Sequence, residues 1–102
     1  MKDIKFVLIV VSLVVAVLSL NGIDIANPTS ISTFSCLKNN GNSFAIVRAF
    51  RSGGSLDANA VTNLRNAMTV GFTTDIYMFP CRGKDPVDQV NTMMSAISST
   101  YF

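Results

Sequence analysis

The chain has 102 residues, 49% of them hydrophobic, with eight basic and six acidic side chains. That length allows one domain at most. The sequence has no His, which excludes His-based triads and His-ligated metals, and no Glu, so any carboxylate chemistry must use Asp.

The first segment is set apart from the rest. Lys2 and Lys5 give a positive start, residues 6–18 form an apolar run broken only by Ser12, and small residues follow at Ala16 and Ser19. This order is that of a secretory signal peptide, assigned to residues 1–19. The alternative is an uncleaved anchor helix, but the run is shorter than the ~20 apolar residues of a membrane span. Residues 20–102 then form the domain. They keep six basic residues (Lys38, Arg48, Arg51, Arg65, Arg82, Lys84) and five acids (Asp24, Asp57, Asp75, Asp85, Asp88), a net charge of about +1. No nucleic-acid surface is supported by that balance.

Gly22-Ile23-Asp24-Ile25-Ala26-Asn27-Pro28 reads as a short strand with one carboxylate in it. An Asp in an apolar strand is costly unless paired or functional. Pro28 ends the strand, because proline has no N–H for a ladder. Residues 29–39 read as a helix capped by Thr29 or Ser30, with Ile31, Phe34 and Leu37 on one face. Gly41 suits the left-handed position after it.

Phe44-Ala45-Ile46-Val47-Arg48-Ala49-Phe50 is the second strand, apolar on both faces except at Arg48. Ser52-Gly53-Gly54-Ser55 reads as a flexible loop. Asp57 is expected to cap a second helix whose inner stripe is Val61, Leu64 and Met68, closed by Gly71. Asp75-Ile76-Tyr77-Met78-Phe79 is the third strand, ended by Pro80 and Cys81. The last helix starts at Asp85-Pro86, an N-cap followed by proline at its first position. Val87, Val90, Met93, Met94 and Ile97 form its expected buried stripe.

The order β-α-β-α-β-α implies an α/β fold with a parallel sheet and right-handed crossovers. No Gly-x-Gly-x-x-Gly follows a strand, so a dinucleotide fold has no positive support. No metal or other cofactor is expected. Cys36 and Cys81 are the two cysteines. In a secreted chain an even count points to a disulfide, closing a loop of about 45 residues and stabilising by roughly 4 kcal/mol. The rival readings are two free thiols, or pairing with a cysteine outside this chain.

Each strand offers a polar or aromatic candidate near its C-terminal end: Asp24, then Arg48, then Tyr77 and Phe79. In a barrel such ends converge on one mouth. A carboxylate, a cation and rings suit a sugar polymer, because rings stack on sugar faces and carboxylates act on the bridging oxygen. Asp24 and Arg48 can equally be an ion pair between neighbouring strands, and Tyr77 and Phe79 ordinary strand aromatics. Arg51, Asp57 and the Arg82-Gly83-Lys84 group read as solvated loop residues.

Gly22-Ile23-Asp24-Ile25, Phe44-Ala45-Ile46-Val47-Arg48-Ala49 and Asp75-Ile76-Tyr77-Met78-Phe79-Pro80-Cys81, in that order, resemble the opening strands of a lysozyme family. It is the protist and nematode type, related to the family-25 glycoside hydrolases. The resemblance implies the first part of a TIM-like β/α barrel that cleaves the β-1,4 bond of bacterial peptidoglycan between N-acetylmuramic acid and N-acetylglucosamine. It implies a secreted protein or one of the lysosomal or phagosomal lumen. Asp24 matches the family's first-strand active-site Asp, Tyr77 matches a ring of the cleft wall, and Arg48 stands where relatives often carry a basic residue.

Two departures accompany the match. The family's central acids form an Asp-x-Glu on a fourth strand, which this sequence does not reach. Many members also carry a further cysteine soon after the Pro-Cys, where Arg82-Gly83-Lys84 stands here, which leaves the Cys36–Cys81 pairing open. A truncated barrel that binds glycan without cleaving it, or a secreted fragment that self-associates through open sheet edges, are the alternative expectations.

Overall fold

The computed structural model describes residues 19–101. The expected signal peptide therefore falls almost wholly outside the described residues. Among the described residues no helix is long and apolar enough to cross a membrane.

The chain folds as β1 (Asn21–Ile25), α1 (Ile31–Asn39), β2 (Asn42–Arg51), β3 (Ser55–Leu56), α2 (Ala60–Val70), β4 (Thr73–Met78) and α3 (Pro86–Tyr101). The fold is α/β, with four strands in one mixed sheet and three helices. β2 lies at the centre, pairing in parallel with β1 on one edge and with β4 on the other. The antiparallel strand β3 was not expected. Gly54, at φ +85°, lets residues 52–54 turn tightly, and Ser55 and Leu56 pair back onto Arg51 and Phe50. Phe50 also pairs with Met78 of β4, so β3 must occupy the same edge of β2 as β1, beyond the end of β1.

Alternation along β2 decides what each face does. Ala45, Val47 and Ala49 are fully buried under the helices. Two clusters make this layer. In one, Val47, Ala49 and Phe50 meet Ala60 and Leu64 of α2 and Met93 and Ile97 of α3. In the other, Phe34 of α1 meets Ala45, Ala67 and Phe72, with Ile23, Ile25 and Leu37 against it. Phe34 and Phe72 pack edge to face at 5.6 Å between ring centroids. Burying a ring such as Phe34 stabilises by about 1.5–3 kcal/mol. The other face of β2 carries Phe44, Ile46 and Arg48, which are only half-buried. Its apolar residues match the two-sided pattern read from the sequence, yet no helix among the described residues covers them.

The caps follow the sequence closely. Ser30 Oγ accepts from the Thr33 N–H at 3.2 Å, and Asp85 Oδ1 accepts from the Asp88 N–H at 3.0 Å. Gly41 and Gly71 close α1 and α2 at φ +96° and +94°. The helix faces differ more. Ile31 and Met68 are exposed, and α2 instead turns Ala60, Asn63, Leu64 and Ala67 inward. On α3 the buried line is Gln89, Met93 and Ile97, spaced by four, while Val87 is 64% exposed and Val90 is exposed beside it. Polar Asn63 and Gln89 hold core positions because each satisfies its amide with backbone groups of a loop.

Candidate functional site

The strand registers place the sequence candidates in rows across the helix-free face. Gly22 stands opposite Phe44, and Phe44 opposite Thr73. Asp24 stands opposite Ile46, and Ile46 opposite Asp75. Arg48 stands opposite Tyr77 in the row nearest the C-terminal ends. Residues two apart on a strand share a face. Asp24, Arg48 and Tyr77 therefore share one surface, as the sequence suggested. Phe79 lies just past β4, is 57% exposed, and is tied in by its N–H donating to the Phe50 carbonyl at 3.0 Å.

The lowest row is a floor. Gly22 leaves room for the Phe44 ring, which lies where a Cβ on residue 22 would be. The middle row is acidic. Asp24 and Asp75 flank Ile46 and are both exposed, with backbones two strand spacings, about 9–10 Å, apart. Asp75 Oδ1 accepts from the Ile76 N–H at 2.8 Å. Sequence reading placed Asp75 at the start of a strand and gave it no part in the site.

Arg48 does not pair with Asp24. Its Nε donates to Asp57 Oδ2 at 2.7 Å. Asp57 is neither a solvated loop residue nor the cap of α2. Asn59 is the residue at the cap position, and it makes no side-chain cap bond. The Asp57 side chain is 3% exposed, and its Oδ1 accepts from the Asn59 N–H at 2.9 Å. The turn before α2 buries this carboxylate because β3 holds the Asp57 N–H against the Ala49 carbonyl at 2.9 Å. The unexpected hairpin thus aims Asp57 at Arg48.

Two buried amides fix the loops at the same end of the sheet. Asn63 Oδ1 accepts from the Thr29 N–H, and its Nδ2 donates to the Asn27 carbonyl, each at 2.9 Å. Asn66 Nδ2 donates to the Thr29 carbonyl at 2.9 Å. The loop that follows Asp24 is therefore clamped to α2. Gln89 does the same after β4: its Oε1 accepts from the Cys81 N–H at 2.8 Å, and its Nε2 faces the carbonyls of Cys81, Lys84 and Asp85 at 3.2–3.3 Å.

Cys36 and Cys81 are both free, which overturns the expected disulfide. Cys36 is exposed near the end of α1, where Asn40 Nδ2 lies 3.6 Å from its sulfur. Cys81 is half-buried in the loop after β4, its thiol facing the Arg82 carbonyl at 3.5 Å. Cys36 lies on α1, which follows β1 on one edge of β2, and Cys81 follows β4 on the other edge.

Two grooves of the described surface lie elsewhere. One runs between Leu56 and the Asp88–Asn91–Ser95 side of α3, and another lies by Pro28, Thr29 and Asn63. Neither includes Asp24, Arg48 or Tyr77. Among the described residues no group of three or more Cys, Asp, Glu or His side chains could hold a metal. What this face offers is an open strip with a ring floor, a row with two carboxylates, and a row with a cation beside a phenol.

An open strip of acids, cation and rings on a mixed α/β sheet is a surface suited to extended polar polymers. Comparison with known proteins gives it a family. The family model described as Lysozyme-like protein 1 matches residues 16–102. The chain is 42% identical over 80 residues to Lysozyme-like protein 5 of Caenorhabditis elegans, covering 78% of this chain and 37% of that protein. It is 37% identical over 82 residues to Probable GH family 25 lysozyme 2 of Dictyostelium discoideum, covering 79% and 39%. It is 41% identical over 73 residues to Probable GH family 25 lysozyme 5 of the same organism, covering 70% and 34%. The chain belongs to the lysozyme-like family related to the GH family 25 lysozymes. It spans well under half the length of these relatives. No solved structure matches it.

Proposed function

We propose that the helix-free face of this sheet is one wall of a glycan cleft, and that the chain serves a β-1,4 N-acetylmuramidase acting on bacterial peptidoglycan. The observation that carries this reading is the shared surface of Asp24, Arg48 and Tyr77 in a member of a lysozyme-like family. Asp24 acts at the bond to be cleaved. Tyr77 and Phe79 stack on sugar faces, and Arg48 binds a polar substituent. The secretory leader read over residues 1–19 would deliver the protein outside the cell or to a lysosomal or phagosomal lumen, where bacterial walls are met.

Glycoside hydrolysis by this route uses two carboxyl groups that flank the bond, one donating a proton and the other stabilising or attacking the cationic centre. These 102 residues contain no Glu, and the other carboxylate in the row of Asp24 is Asp75, beyond Ile46. We therefore assign this stretch the binding wall and one acid, with hydrolysis incomplete until a second carboxylate is added. The unpaired outer edges of β1 and β4, among the described residues, and the uncovered face support an arc of a β/α barrel to which further strands would add.

The test is reducing-end release from purified bacterial peptidoglycan, with Asp24→Asn as control. Release that vanishes in the control supports an active site built from Asp24. No release, with peptidoglycan still bound by the folded chain, supports the binding wall alone. No release and no binding overturns the glycan reading.

A further inference from the structure

We propose that the groove between the β1–α1 loop and α2 is a second binding site, which takes one neutral sugar residue outside the strip of Asp24, Arg48 and Tyr77. No strand residue lines it. It stands apart from the glycan reading of the sheet face and does not depend on it.

The groove encloses about 340 Å³. Pockets for small ligands run from roughly 300 to 1,000 Å³, so this one has room for a single ring and not for a chain. Its longer wall is one face of α2. Residues three and four apart share a helix face. On α2 such a face carries Asn59, Thr62, Asn63 and Asn66, polar at every position. Two of the four hold the opposite wall. Asn63 bonds to the Thr29 N–H and the Asn27 carbonyl, and Asn66 Nδ2 donates to the Thr29 carbonyl. The loop with Pro28 and Thr29 is thereby fixed against α2, and the groove keeps its shape with no ligand in it.

The remaining polar groups have no such task. Asn59 is half-buried, yet its side chain makes no cap bond and meets no partner among the described residues. The Thr62 hydroxyl and Asn66 Oδ1 are likewise without a partner among the described residues. An amide sets a donor beside an acceptor, and a hydroxyl serves as either. Three such groups on one groove match a ligand that carries neighbouring hydroxyls.

The lining also excludes other ligands. It holds no charged side chain among the described residues. A phosphate or carboxylate would lose water here without meeting an opposite charge, and an apolar ligand would leave the amides dry. A sugar ring fits both parts of the lining, its hydroxyls toward the amides and its C–H groups toward the Pro28 ring and the Thr methyl groups.

The test is a titration of the full chain, followed by NMR of backbone and side-chain amides. The probes are glucose, N-acetylglucosamine and glucose 6-phosphate. The neutral sugars are expected to bind with a Kd of about 1–10 mM and to shift the side-chain amides of Asn59 and Asn66. Glucose 6-phosphate should bind the groove about tenfold more weakly. The key variant is Asn59→Ala with Thr62→Val. It leaves the clamp of Asn63 and Asn66 in place, and it leaves the Asn59 N–H on Asp57. Binding at the groove should fall about tenfold or more, with the amide shifts of Phe34 and Val47 unchanged as the sign of a folded chain. Where the double variant does not fold, Thr62→Val alone, at an exposed position, is read for the same fall. Full binding by the folded variant overturns the inference, and so does a phosphate probe that binds the groove as tightly as glucose. Shifts confined to the rows of Asp24 and Arg48 overturn it and leave the glycan reading standing. No shift at either place overturns it as well, and the glycan reading then stands or falls on peptidoglycan binding itself.

Discussion

Arg48 and Asp57 lie nine residues apart and meet at 2.7 Å, yet they share the burial unequally, 30% exposed against 3%. The asymmetry makes the two truncations unequal. Arg48→Ala leaves an unpaired carboxylate in the interior and is expected to destabilise by about 3–5 kcal/mol. Asp57→Ala leaves a cation that can turn to water, and is expected to cost about 1–3 kcal/mol. Urea unfolding midpoints of the two variants check the order, which the reverse ranking would refute.

Gln89 supports a whole loop with one side chain. Gln89→Leu keeps the volume and removes every side-chain bond to Cys81, Lys84 and Asp85. A loss of about 2–3 kcal/mol is expected for a buried amide network of this kind. The loop should also open locally, with trypsin cutting after Arg82 and Lys84 faster than in the natural chain. Unchanged cleavage would show that the loop is held by other contacts.

Asn63 joins α2 to the loop that follows Asp24. Asn63→Leu strands the Thr29 N–H and leaves the Asn27 carbonyl with the Thr29 hydroxyl as its donor, at an expected cost of about 1–3 kcal/mol. Hydrogen exchange of the Thr29 amide should accelerate before global unfolding. Exchange at the natural rate would contradict the clamp.

The thiols give a direct chemical check. Both Cys36 and Cys81 should titrate with a thiol reagent under non-denaturing conditions, Cys36 first because it is exposed. A mass two units lower than the dithiol, with no reaction, would mean that the disulfide forms after all.

Gly22 gives way to the Phe44 ring. Gly22→Ala should displace that ring from the floor of the face and destabilise by about 1–3 kcal/mol. The aromatic proton shifts of Phe44 report it, and an unchanged ring environment would count against the floor.

The strand cores and helix caps were legible because they are local. Ser30, Asp85, Gly41 and Gly71 act within a few residues of themselves, and a cap can be read where it stands. The apolar strands that carry Asp24, Arg48 and Tyr77 were legible for the same reason, whereas their common face follows from the register between strands. What escaped was set by contacts distant in the chain. Asp57 looked like a cap because it precedes a helix, but β3 rotates that turn inward and gives it Arg48. Asn63 and Gln89 were not singled out, since a sequence does not reveal which loop will supply a buried amide with partners. Met68, Val87 and Val90 were drawn inward by a hydrophobic count, whereas the real inner lines of α2 and α3 pass through those two amides. The disulfide was inferred from parity and compartment, neither of which carries distance.

The short strand β3 sets a limit on β1. The edge of β2 is occupied first by β1, along Asn42–Val47, and then by β3 at Phe50 and Arg51. Only Arg48 and Ala49 separate the two, and the Ala49 carbonyl already accepts from the Asp57 N–H that follows β3. A slip of one residue would turn Asp24 under the helices, and a slip of two would bring it level with Arg48. The hairpin is thus an end stop: a two-residue strand holds the acid one row short of the cation, and keeps the two from neutralising each other.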